Sequence, residues 1–105
     1  MFRHEVILRI RSNVPRETIE HTLRQVRGLL REIQGVDAVR TGTNAIPTYR
    51  HAMIVVDLKD DVALHRFQRH PLHARAIRMV TRLAESTAVG SYHVASEQRR
   101  LTGEG

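Results

Sequence analysis

The 105-residue sequence predicts a single α+β domain. It should be a four-stranded antiparallel sheet with helices on one face, in the split βαβ arrangement. Three observations carry this. Apolar residues alternate with a period of two over residues 3–11, and an apolar run fills 51–58. Apolar residues recur at three- and four-residue spacing through Ile19, Leu23, Val26, Leu30 and Ile33. Pro71, with no N–H to donate, splits a later helical stretch in two.

In chain order, His4, Val6, Leu8 and Ile10 form one row of the first strand, and Glu5, Ile7, Arg9 and Arg11 the other. One face is therefore fully buried and one is mixed. Ser12–Pro15 turns the chain into the first helix, with Pro15 at its entry. The outer face of that helix carries Glu17–His21 and Glu20–Arg24 as i,i+4 pairs. Gln34-Gly35 is expected to end it by a glycine C-cap. Residues 36–45 read as a polar edge strand, and 44–50, with Pro47, as a loop. Residues 51–58 are apolar on both faces until Asp57, which marks a central strand. Lys59-Asp60-Asp61 supplies an N-cap for a short helix burying Leu64 and Phe67. The third helix starts at Pro71 and runs to about Glu85. Residues 89–95 form the last strand, so the domain spans 1–97 and 98–105 is a disordered tail.

This order is ferredoxin-like. The first and third strands, the most apolar, are expected in the middle, adjacent and parallel. Helices on one face leave the other bare, with Ile7, Met53 and Val55 on it. A second copy related by a two-fold axis is the simplest cover. Arg9 and Asp57 both lie on that side and are expected to form an ion pair at the interface.

His73 is the most site-like residue. It falls in the first turn after Pro71, and His73, Ile77, Val80 and Ala84 follow one helix face. His4 sits in the buried row of the first strand, so the two imidazoles should converge between sheet and helices. A helix start disfavours imidazolium, so His73 should be neutral at pH 7 and able to act as a general base. His70 and His73 are three apart, but Pro71 separates their helical contexts and no carboxylate lies at matching spacing, so no metal is expected.

The bulk numbers exclude several classes. There is no cysteine, so no disulfide or thiolate chemistry, and no apolar run near the length of a membrane span. The cytoplasm is the expected compartment. A net charge of +6 invites a nucleic-acid reading, but the basic residues are scattered over every segment. The strands also lack exposed aromatics that would stack bases, so nucleic acid is not an expected partner.

Arg3-His4, Gly35-Val36, Gly42-x-Asn44, Tyr49-Arg-His51 and above all Phe67-x-x-His70-Pro-Leu-His73 resemble the stress-responsive A/B barrel family of dimeric α/β barrels. The resemblance covers residues 2–95. It implies a homodimer whose sheets face each other, and a cofactor-free pocket between sheet and helices for a small apolar or aromatic ligand. The family includes a plant stress protein, a polyketide cyclase that makes olivetolic acid, and bacterial members without an assigned role. Its fold therefore does not fix a function. The alternative is a cofactor-independent cyclase, isomerase or lyase acting on a polyketide-like or aromatic substrate with His73 as general base.

Compared with the cyclase, His4 and His73 match its strand and helix histidines. Its tyrosine falls on Phe67, and the acid of its last strand falls on Ser91, before Tyr92. The expected catalytic residues are His73 and His4. The expected ligand contacts are His4, Phe67, His73, Ile77, His51 and Tyr92. The apolar row Ala52, Ile54, Val56 and Leu58 should face the helices, which turns His51 toward the partner sheet unless a bulge near the strand start returns it to the pocket.

Overall fold

A computed structural model describes residues 1–46, 48 and 50–95. The expected tail, Pro47 and Tyr49 lie outside the described residues. The elements are β1 (Phe2–Ile10), α1 (Arg16–Arg31), β2 (Val36–Thr43), β3 (His51–Leu58), α2 (Asp61–Arg69), α3 (Pro71–Leu83) and β4 (Ala84–His93). The sheet order is β2-β3-β1-β4, so the two most apolar strands are central. Among the described residues no helix is long and apolar enough to cross a membrane.

The central pair is antiparallel, not parallel: Phe2 opposes Leu58 and Arg9 opposes His51. The reason is topological. The α1 crossover returns β2 in the direction of β1, and the β2–β3 connection then reverses the chain. This also corrects the expected Arg9–Asp57 pair. Parallel strands would align the late residues of both. The antiparallel register instead places Asp57 directly opposite Arg3. Arg3 Nε donates to Asp57 Oδ1 at 2.7 Å, and Arg40 Nη1 donates to Oδ2 at 3.0 Å. Arg9 pairs with Glu85.

Period-two burial in β1 and β3 meets period-3.6 burial in the helices. Leu8, Ile10, Ala52, Ile54, Val56 and Leu58 pack against Ile19, Leu23, Val26, Leu30 and Ile33 of the α1 segment. On the outside of α1, Glu20 takes Arg16 as its i−4 partner, in place of the expected Glu17–His21 and Glu20–Arg24 pairs. The helix stops at Arg31, so Gly35 is not its cap. Gly35 instead makes the turn into β2 with φ +94°, a conformation that disfavours any side chain. Ala63 of α2 also packs so close that a Cβ on Gly35 would lie 2.6 Å from its Cβ.

Asp60 caps α2 as expected, accepting from the Ala63 N–H. Before Pro71, His70 is extended (ψ 138°) and serves both helices. It ends α2, and its Nδ1 accepts the Leu72 N–H of α3 at 3.0 Å. The inner face of α3 is Ala76, Val80 and Leu83, not the predicted row through Ile77, which is 48% exposed. Ala84 already belongs to β4, so α3 ends earlier and β4 starts earlier than expected. The helix face was read from spacing alone, and the bulge where β4 pairs with Arg9 and Ile10 takes Ala84 into the sheet.

Candidate functional site

The helices cover β2, β3 and β1 but leave β4 uncovered, since every β4 residue after Ala84 is exposed. Between α3 and β4 the two layers part around a cavity of about 290 Å³. Its floor is Val6, Ile54 and Val56 of the sheet, its roof Val26, Leu30, Ala76 and Val80 of the helices. Ile77, Thr81, Thr87 and Val89, all exposed, form its mouth.

At the inner end stand three rings from three elements. β1 supplies His4, buried by the alternation that buries Leu8. α2 supplies Phe67, fully buried. α3 supplies His73, fixed three residues beyond the His70 cap. The ring centroids are 5.5 Å apart for His4–Phe67, 4.6 Å for Phe67–His73 and 6.2 Å for His4–His73. These are edge-to-face or tilted contacts favoured by aromatic quadrupoles.

The His4 Nδ1 shares a hydrogen bond of 2.6 Å with Ser91 Oγ of β4. Ser91 lies directly opposite His4 in the antiparallel ladder. Sequence reasoning saw only that an acid was missing at position 91; the hydroxyl there is the hydrogen-bond partner of His4. Burial pushes the pKa of His4 below 6.5, and neighbouring His73 lowers it further. Burial also lowers His73, opposed by a hydrogen bond to the Gln68 backbone. The expected direction for His73 thus appears with burial as its largest cause. Neutral imidazoles can accept or donate one hydrogen bond at each free nitrogen.

Of the expected contacts, His4, Phe67, His73 and Ile77 line this cavity, Ile77 at its mouth and not in its wall. His51 and Tyr92 do not. The β1–β3 register runs without a shift from end to end, so no bulge turns His51 inward. His51 lines a separate concavity of about 600 Å³ on the open sheet face, beside Ile7, Met53 and Val55. Tyr92 is the neighbour of Ser91 and therefore points to that same open face, where its hydroxyl donates to Glu5. Thr87 was missed because the last strand was started at residue 89, and Val89, inside the expected strand, was not assigned to the site. With β4 antiparallel to β1, both fall opposite the His4 row.

Among the described residues no group of three or more His, Asp or Glu could hold a metal ion. The arrangement offers an apolar chamber with two imidazoles at its closed end.

The model of the Stress Responsive A/B Barrel Domain family matches residues 2–94. No curated protein sequence matches significantly. Several solved structures share the fold at low identity. A protein from Arabidopsis thaliana superposes with a TM-score of 0.80 at 17% identity, covering 94% of this chain and all (100%) of that one. A dimeric ferredoxin-like protein of unknown function from Thermobifida fusca gives 0.75 at 19% identity, covering 89% of this chain and 90% of that one. A Dabb family protein with a ferredoxin-like fold from Mesorhizobium loti gives 0.74 at 20% identity, covering 90% and 97%. The family model spans every element from β1 to β4, and the fold it implies is the fold observed: this chain belongs to the stress responsive A/B barrel domain family.

Proposed function

We propose that this chain is a homodimeric, cytoplasmic A/B barrel protein, with one domain over residues 1–97, that binds a small apolar or aromatic molecule without a cofactor. The observation that carries the pocket is the chamber of about 290 Å³ closed by His4, Phe67 and His73. It is roughly twice the ~150 Å³ of a dry engineered cavity that accepts benzene, and it lies near the lower end of ligand-site volumes. The dimer is supported by the open sheet face, where Ile7 and Met53 remain 40% and 39% exposed. It is also supported by structural neighbours described as dimeric.

The test is a thermal-shift screen of small aromatic and aliphatic compounds, paired with light scattering at micromolar concentration. The reading expects stabilising compounds whose effect disappears in Ala76→Leu, which places side-chain volume in the cavity. Stabilisation that survives this plug, or a monomer by scattering, refutes the corresponding half of the reading.

A second reading, a cyclase, isomerase or lyase with His73 as general base, is favoured by the lowered pKa of that half-buried imidazole. Against it, Phe67 offers no hydroxyl and Ser91 no carboxylate to orient the base. Turnover of a bound compound that is lost in His73→Gln while binding persists would establish it. Turnover unchanged in that variant would remove it.

A further inference from the structure

Among the described residues, the walls of the chamber carry no formal charge: none that lines it is Asp, Glu, Lys or Arg, although 27% of the chain is charged. The strand alternation explains this. In β1 the charged residues Arg3, Glu5 and Arg9 occupy the row facing the open sheet face, as does Asp57 in β3. His4 and Val6 occupy the inner row. The polar groups that remain are few. Thr81 spends its hydroxyl on the Ile77 carbonyl at 2.7 Å. His4 Nδ1 is taken by Ser91. Inside, among the described residues, the free hydrogen-bonding capacity is one nitrogen of His4 and one of His73, which also bonds the Gln68 backbone, both beside the Phe67 ring; the Thr87 hydroxyl lies out at the mouth.

We propose that this pocket takes an uncharged single-ring compound carrying one hydroxyl, and rejects carboxylates and cations. The inference rests on the pocket reading above and names its ligand class. The three inner rings offer edges and faces to a fourth ring. The imidazoles offer the hydroxyl one hydrogen-bond partner, whichever tautomer they hold. A carboxylate entering the chamber would lose its water and meet no Lys or Arg among the described lining residues, while burial lowers the pKa of both imidazoles and favours their uncharged forms. An ammonium would meet no carboxylate. The volume of about 290 Å³ admits one ring with a short substituent.

The test uses three probes of one shape: toluene, para-cresol and para-toluate. Binding to the full chain at pH 8 is followed by NMR of the His4 and His73 ring protons. Para-cresol is expected to bind roughly 2–10-fold more tightly than toluene, the worth of one net hydrogen bond. Para-toluate is expected to bind at least about 100-fold more weakly than para-cresol. Para-toluate within tenfold of para-cresol would overturn the ligand class while leaving the pocket standing. Para-cresol no tighter than toluene would overturn the role of the imidazoles. If none of the three perturbs either histidine, the pocket reading itself falls, and this inference with it.

Discussion

Gly35→Ala is the sharpest probe of how the chain positions its site. Gly35 has φ +94°, where a residue with a Cβ costs about 1–2 kcal/mol. The new Cβ would also lie 2.6 Å from Ala63 Cβ and 3.4 Å from its Cα. Ala63 is buried at the start of α2, and its helix backbone cannot move freely, because the Gly35 carbonyl also accepts the Lys59 N–H at 3.0 Å. Overpacking of this kind costs about 1–3 kcal/mol. The sum is roughly 2–5 kcal/mol, a large part of the ~5–15 kcal/mol that holds a domain folded. Urea unfolding at fixed protein concentration measures it. The two causes separate in a cycle with Ala63→Gly, which removes the clash but not the strain at φ. That helix substitution costs about 1 kcal/mol by itself. The double variant should be more stable than the sum of the singles by about 1–3 kcal/mol. A Gly35→Ala loss below about 1 kcal/mol, or additivity within about 0.5 kcal/mol, would refute the argument.

Three further outcomes are expected. His4 and His73 are both held below 6.5, so the unfolded chain binds protons first as pH falls. Their contribution to stability is full above about pH 6.5 and is lost below it. The melting temperature should therefore fall between pH 8 and 5.5, by less in His4→Gln/His73→Gln, and a flat profile in the parent would contradict this. The hydrogen bond from Arg3, helped by Arg40, lowers the Asp57 pKa, so its contribution is present above about pH 4 and lost as pH falls through the folded value. Asp57→Asn should reduce the acid limb of the same profile, and an unchanged limb would count against the pairing. Phe67→Ala empties a fully buried site and should cost about 3–5 kcal/mol in urea unfolding, where a loss under 1 kcal/mol would mean that Phe67 does not hold α2 to the sheet.

The sequence was most legible where one period ran unopposed. The His4 row, the α1 stripe from Ile19 to Ile33 and the break at Pro71 all folded as their spacing dictates. The direction of the central pair was not legible from burial, because burial patterns are the same for parallel and antiparallel neighbours; only the element order, which predicts an antiparallel sheet, carries it. The misplaced Arg9–Asp57 pair follows from that single error. The α3 face was misjudged because His73, Ile77 and Val80 share a spacing with the true inner row, and only β4's position shows that Ile77 looks into the mouth. β4 itself was hard to read. Its Thr87 and Val89 line the cavity mouth, yet no helix covers them, so they never acquired the apolar signature of a buried face. His70 as a cap was likewise hidden, since histidine is not among the usual capping residues.

β4 links the pocket to the open sheet face. No helix covers it, so its position depends on the ladder with β1 and on side-chain pairs that cross between the two strands. Two pairs lie on the inner side, His4 with Ser91 and Phe2 with His93. Two lie on the opposite side, Glu5 with Tyr92 and Arg9 with Glu85. Neighbouring residues in a strand point to opposite faces, so Ser91, bonded to His4 on the inner side, and Tyr92 on the open face cannot shift independently. In water, exposed pairs such as Arg9–Glu85 hold a strand only weakly. Covered by a second copy, the outer pairs would be shielded from solvent and would fix the β4 register more firmly. The same covering would hold Ser91 against His4. In the proposed dimer, association and pocket geometry are thus two faces of one strand pairing, even though no pocket residue need touch the partner.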